Sequence, residues 1–235
     1  ADGDWSTVTG GNSNRIQGDK STITGGGYNS IIGDSSAITG GMYNTVYGEH
    51  SAVMGGTLQY IVGDASFIGG GQEHRIEGDY SKISGGSRMT IHGSYSAIGG
   101  GRDHKLIGDW SNILGGTDNY LEGHYCAISG GVYHSMVGSN NYASTIVSGS
   151  GNFLREATHS VITGGEANTI DGSSYSGNDD GEDGYVQHST ISGGSNNLIF
   201  GDKNTIIGGQ YQQASGQGST VNGGKYNTAN GDFSA

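Results

Sequence analysis

Residues 21–34 read STITGGGYNSIIGD. Residues 36–49 read SAITGGMYNTVYGE, and residues 51–64 read SAVMGGTLQYIVGD. The three stretches share one frame: a small polar residue, an apolar residue two positions on, a glycine pair, then Asn or Gln and a second apolar residue. Aligned on the first apolar residue, the frame recurs at Val8, Ile23, Ile38, Val53, Ile68, Ile83, Ile98, Ile113 and Ile128, always fifteen residues apart. It resumes at Ile146, Ile162, Ile191, Ile206 and Val221 after three insertions. The second apolar residue follows eight positions later, at Ile16, Ile31, Val46 and onward, so the unit is 8 + 7 residues and occurs fourteen times.

Each half is short, alternating and β-branched, and glycine ends it, which is the pattern of a strand followed by a turn. No window carries apolar residues at helical spacing behind a capping residue. Strands that recur once per unit pair with their copies one coil away. The expected fold is therefore all-β, a single parallel β-solenoid over residues 1–235 made of about fourteen two-sided coils. At about 4.8 Å per coil such a stack runs on the order of 65 Å. Loops are expected at about 137–145 (three extra residues), near 155–161 (one) and at 171–190 (fourteen).

Composition narrows the function. The 49 glycines and low apolar content would indicate disorder were there no period. A net charge of -12, with only 10 Lys and Arg, argues against nucleic acid or an anionic membrane as partner. No apolar run reaches the length of a transmembrane helix. One cysteine cannot form an internal disulfide. The chain starts within a repeat at ADGDWSTV and stops at GDFSA, which reads as a mature protein or a segment of a longer solenoid.

Side chains two apart share a face of a strand. The slot two before the first apolar residue is thus inward: Ser6, Ser21, Ser36 and their equivalents, with Cys126 and Asn204 standing in for serine. Cys126 reads as a buried structural thiol. The second-half slot holds Asn14, Asn29, Asn44 and so on, replaced by Gln59, His74, Met89, His104 and His134. Stacked amides and hydroxyls can bond the turn backbone and their own copies. The three histidines recur every second coil, roughly 10 Å apart, too far to share a metal. Gly10, Gly25, Gly40 and Gly55 are expected to supply turn dihedrals that a side chain forbids.

The alternation of S-x-I-x-G-G and N-x-I-x-G, as in Asn29-x-Ile31-x-Gly33, Asn44-x-Val46-x-Gly48 and Asn168-x-Ile170-x-Gly172, resembles the β-roll repeats of the grass antifreeze (ice-binding) proteins of the perennial ryegrass type. That resemblance implies a two-sided roll with an inner Asn ladder and, as a function, ice binding. A weaker similarity runs to the heads of trimeric autotransporter adhesins, which the double glycine and regular Asn fit less well.

Residues flanking the first apolar position point outward. They include Thr7, Thr9, Thr22, Thr24, Ala37, Thr39, Thr145, Thr163, Thr190, Ser192, Thr205 and Thr220, and Lys82 is the one charge among them. A flat array of small Thr, Ala and Ser can order water into an ice-like layer, or can simply tolerate close packing against a neighbour. Phe67, Lys82 and Leu114 interrupt it. The second face, with Arg15, Arg75, Glu77, Lys105, Glu122, Arg155 and Asp171 and with several aromatics, reads as ordinary solvated surface.

Two further columns stand out. Tyr80, Tyr95, Trp110 and Tyr125 hold the position before the inward slot in consecutive coils, as a corner shield or an adhesion strip that stacks on a surface glycan. Asp4, Asp19, Asp34, Glu49, Asp64, Asp79, Asp109 and Asp202 each follow a turn glycine. Either each carboxylate accepts backbone N–H bonds, as in Asx-type turn capping, or cations sit between them, as calcium does in RTX repeats, whose nonapeptide is not reproduced here. No other cofactor and no catalytic residue is expected. The expectation is a secreted, extracellular, non-enzymatic ice-binding protein. The alternative is a structural or adhesive rod that meets copies of itself or a glycan.

Overall fold

The computed structural model describes residues 1–173 and 186–234. It is an all-β parallel solenoid of about fourteen turns of about fifteen residues. The chain forms two compact units, Ala1–Trp110 and Ser111–Ala235. In the first unit, the strands Thr7–Val8, Thr22–Ile23, Ala37–Ile38, Ala52–Val53, Phe67–Ile68, Lys82–Ile83 and Ala97–Ile98 form one parallel column. Those from Arg15–Ile16 to Lys105–Leu106 form the other. In the second unit, the two columns run from Asn112–Ile113 to Thr220–Asn222 and from Tyr120–Leu121 to Thr228–Ala229.

Pairing is in register: Ile23 faces Ile38, and Ile31 faces Val46. Each β-branched side chain therefore stacks on its copy in the next coil, and the core residues Ile16, Ile23, Ile31 and Ile38 are wholly buried. Strands this short are held by neighbours rather than by their own length, because every inward side chain gains apolar contacts above and below.

The polar slots complete the core. The Asn29 Nδ2 donates to Gly25 O at 3.1 Å and Gly41 O at 3.0 Å, while its Oδ1 accepts the N–H of Asn44 at 3.1 Å. On the other side, the Ser21 hydroxyl lies 3.0 Å from Gly33 O and accepts the Ser36 N–H at 3.1 Å. Buried amides and hydroxyls are thereby satisfied without water, which a narrow coil needs.

The glycine expectation is corrected. Gly10, Gly25, Gly40 and Gly55 have negative φ, and a Cβ on Gly25 would meet open space. The second glycine of each pair takes the left-handed bend: Gly26 has φ +83. The glycine that closes the second half is required for closeness instead, since a Cβ on Gly33 would lie 2.2 Å from Gly48 O.

A further feature lies outside the sequence reading. Both corners of most coils place a non-glycine residue at positive φ, as at Tyr28 (56°) and Ser35 (55°), with Gly151 and Gly218 taking the place in two coils. Such a conformation costs an L-residue roughly 1–2 kcal/mol. It is enforced by interlocking coils: the Tyr28 N–H donates to Asn12 O and the Ser35 N–H to Asp19 O, both one coil back.

In the second unit the insertions widen one corner. Ala157–Thr158 pairs with Val186–Gln187 as a small extra parallel sheet. Asn141, Ala157 and Val186 are fully buried there, and the Asn141 Oδ1 accepts the Ala157 N–H at 2.9 Å. The expected 171–190 loop falls largely in residues 174–185, outside the described residues.

Candidate functional site

The outward residues of the first face form grids whose spacing the backbone ladder fixes. In the first unit Thr7 faces Thr22 and Thr22 faces Ala37, while Thr9, Thr24 and Thr39 follow in the neighbouring column. This brings six of the expected residues together over three coils. Beyond them the columns continue through Ala52, Phe67 and Lys82, with Met54 exposed beside Ala52. The Lys82 ammonium lies 5.6 Å from the Phe67 ring centroid, so charge and bulk end the small-residue patch.

In the second unit Thr190, Thr205 and Thr220 face one another over three coils. Thr145 is separated from Thr190 by Val161. The neighbouring column carries Thr163, Ser192, Ile207 and Asn222, so it is mixed. Exposed Leu114, Val147 and Ile207 roughen this part of the face.

The first corner carries the aromatic column. In the first unit Tyr80, Tyr95 and Trp110 stack nearly parallel, with centroids 4.9 and 4.2 Å apart and planes within 5° and 2°. Each contact covers a ring face, so the stack presents edges and hydroxyls to solvent rather than the flat faces on which a sugar ring sits. In the second unit Tyr125 meets Tyr142 at a tilt, with centroids 5.1 Å apart. The opposite corner has stacks that the sequence reading did not single out: Tyr28 on Tyr43 at 5.0 Å and Tyr211 on Tyr226 at 5.1 Å.

The second face also departs from expectation. In the first unit Tyr43, Tyr47, Leu58 and Val62 are exposed on adjacent coils, with Met42 beside Tyr43. Tyr47 packs against Tyr60, and the Arg75 guanidinium lies 4.5 Å from the Tyr60 centroid. This stretch is an apolar, aromatic patch rather than ordinary solvated surface. Its signal was the unbroken apolar column Ile32, Tyr47, Val62. Charge gathers beyond it, where Glu77 contacts Arg75 at 2.6 Å and His92 at 2.5 Å. Hydrogen bonds from His92 and then Arg75 hold the Glu77 carboxyl below its ordinary range.

Most of the acidic ladder accepts backbone N–H bonds, but between coils rather than within one turn. Asp19 Oδ1 accepts the Asp4 N–H at 2.7 Å, Asp34 Oδ1 the Asp19 N–H at 2.7 Å, and Asp79 Oδ1 the Asp64 N–H at 2.8 Å. The expected backbone N–H bonds to these carboxylates are present, but the donor lies in the neighbouring coil rather than in the same turn, which corrects the Asx-type form of the cap. Asp202 Oδ1 likewise accepts the Gln187 N–H at 2.9 Å. Among the described residues no group of three or more His, Cys, Asp or Glu side chains converges as a metal cage.

The remaining polar groups act as substitutes. The His74 Nδ1 accepts the Met89 N–H at 3.3 Å, as an Asn oxygen does elsewhere. Its Nε2 is buried and, among the described residues, has no hydrogen-bond partner. Burial holds His74 and His134 below the ordinary imidazole value. Cys126 is buried, its Sγ 3.3 Å from His124 O, and desolvation pushes its pKa to about 11. A thiol so protonated is no nucleophile. Burial raises the Asp171 carboxyl, but the paired bonds from Arg155 at 3.0 and 2.6 Å together with those from Ser173 outweigh it and hold it low.

No protein-family model matches the chain, and no curated protein matches it in sequence. The repeating β-roll expected from the grass antifreeze resemblance is present as architecture. Antifreeze kinship has no support from a family or relative.

Proposed function

We propose that this protein is a non-enzymatic, secreted ice-binding protein that works through the small-residue face. The observation that carries this reading is the Thr7, Thr9, Thr22, Thr24, Ala37 and Thr39 grid. Hydroxyls and methyls stand there in two in-register columns, on a backbone bonded coil to coil. Along a strand the columns lie about 6.6 Å apart, and successive coils about 4.8 Å apart. A surface that holds its groups before contact loses little entropy when it meets an ordered lattice of water. Methyls there oppose strong local hydration, while hydroxyls accept and donate to fixed waters. The Thr190, Thr205 and Thr220 column offers a second, narrower patch. Short grids of this kind support slowed recrystallisation more than a large freezing-point depression.

Ice partitioning tests this reading. Protein at low concentration should be enriched in a slowly grown ice hemisphere, and Thr22→Tyr should reduce the enrichment.

A second reading rests on the exposed Tyr43, Tyr47, Leu58 and Val62 patch. Monomeric proteins rarely expose contiguous apolar area beyond a few hundred Å². This patch supports a structural or adhesive role through association with copies of the same chain. Sedimentation at increasing concentration separates it from ice binding, because Tyr47→Ser should abolish association and leave ice partitioning intact.

A further inference from the structure

His159 and His188 are 29 positions apart in sequence, so no His-rich motif announces them. The solenoid register places them at the same corner in successive coils. Their imidazoles stack with centroids 5.0 Å apart and planes within 6°. Both are exposed, and among the described residues neither makes a side-chain hydrogen bond or an ion pair. Their backbones are pinned: the His159 N–H donates to Tyr142 O at 2.8 Å and the His188 N–H to Thr158 O at 3.0 Å. Both residues hold the left-handed corner conformation, with φ of 50° and 54°.

We infer that His159 and His188 form a two-imidazole chelate for a divalent first-row transition ion, with copper(II) preferred and nickel(II) and zinc(II) bound less tightly. Metal–nitrogen bonds of about 2.0–2.1 Å bring two cis ring nitrogens to about 3 Å from each other. The rings reach that separation by tilting their exposed edges together, a rotation about side-chain bonds that the exposed side chains can make without moving the backbone. Imidazole suits copper, nickel and zinc, and affinity for such ligands peaks at copper. The remaining coordination positions fall to water. The Tyr142 ring closes the other side of His159, with centroids 5.8 Å apart, and Lys203, a positive charge that opposes a bound cation, follows at the next corner. A bound ion ties the two coils that flank the longest insertion.

The test uses the full chain in a buffer that does not chelate metals, titrated with copper(II), nickel(II) or zinc(II) chloride alone. Calorimetry should show one tight copper equivalent. His159→Gln and His188→Gln should each weaken it by about tenfold or more, since losing even an outer-sphere partner of a metal costs about 10- to 100-fold. His50→Gln, a lone exposed histidine at the same type of corner, should leave it unchanged. Substoichiometric nickel should first broaden the ring resonances of His159 and His188, a readout on the unmodified protein that needs no variant to fold. Absence of a stoichiometric site, retention of it in both variants, or first broadening at His50 or His92 would overturn the assignment.

Discussion

The Asn29 side-chain oxygen accepts the backbone N–H of Asn44 at 3.1 Å, and Asn44 passes the same bond on to Gln59 at 3.0 Å. Each amide is thus both partner and spacer for the next coil, and the register of the solenoid is written in side-chain as well as backbone bonds. Asn44→Ala leaves the Gln59 N–H and the Gly40 carbonyl without that partner. A buried group so stranded costs about 1–3 kcal/mol, so urea unfolding should show a loss of about 2–4 kcal/mol. Asn44→His should cost less, because His74 already fills an equivalent slot.

Acid should weaken the protein before carboxylates titrate. His74 and His134 are buried, and burial lowers their pKa in the folded state below the ordinary 6.5. As pH falls, the unfolded chain takes up these protons first. The stability they permit is complete above about 6.5 and declines as pH drops below it. Thermal melts between pH 7.5 and 5 should show this decline, and His74→Asn should reduce its slope. A decline unchanged in that variant would assign it to other groups.

Glycines should differ sharply in tolerance. Gly33→Ala places a Cβ against Gly48 O and should destabilise by about 3 kcal/mol or more, at or above the usual cost of overpacking. Gly25→Ala meets open space at negative φ and should change stability by less than about 0.5 kcal/mol. Denaturant midpoints of the two variants decide the matter.

Cys126 should behave as a serine substitute. With its pKa at about 11 and its side chain buried, it should resist thiol reagents in native buffer and react at once in denaturant. Cys126→Ser should fold and retain its melting temperature within a few degrees.

The register of coils, the inward Ser and Asn slots and the exposed Thr columns were all legible because each follows from a strict alternation at a fixed period. What escaped has a common physical origin in stacking. Tyr28 and Tyr80 occupy left-handed corners that no propensity would assign to tyrosine; the neighbouring coil enforces them. Gly33 is needed for an approach between coils rather than for its own dihedrals. The Asn141, Ala157 and Val186 column arises where insertions break the period, so no repeat marked it. The Tyr47 and Val62 patch was visible as a column, but mixed with the Arg75 and Glu77 charges of the same face it read as ordinary surface.

The threonine grids are proposed to meet ice. The direct measurement is ice recrystallisation in a sucrose film, comparing the natural chain with a Thr22→Tyr plus Thr205→Tyr variant whose melting temperature is confirmed to be unchanged. The natural chain should hold ice grains small and the variant should let them coarsen. Coarsening with the natural chain at high concentration, or equal inhibition by the variant, would contradict the proposal.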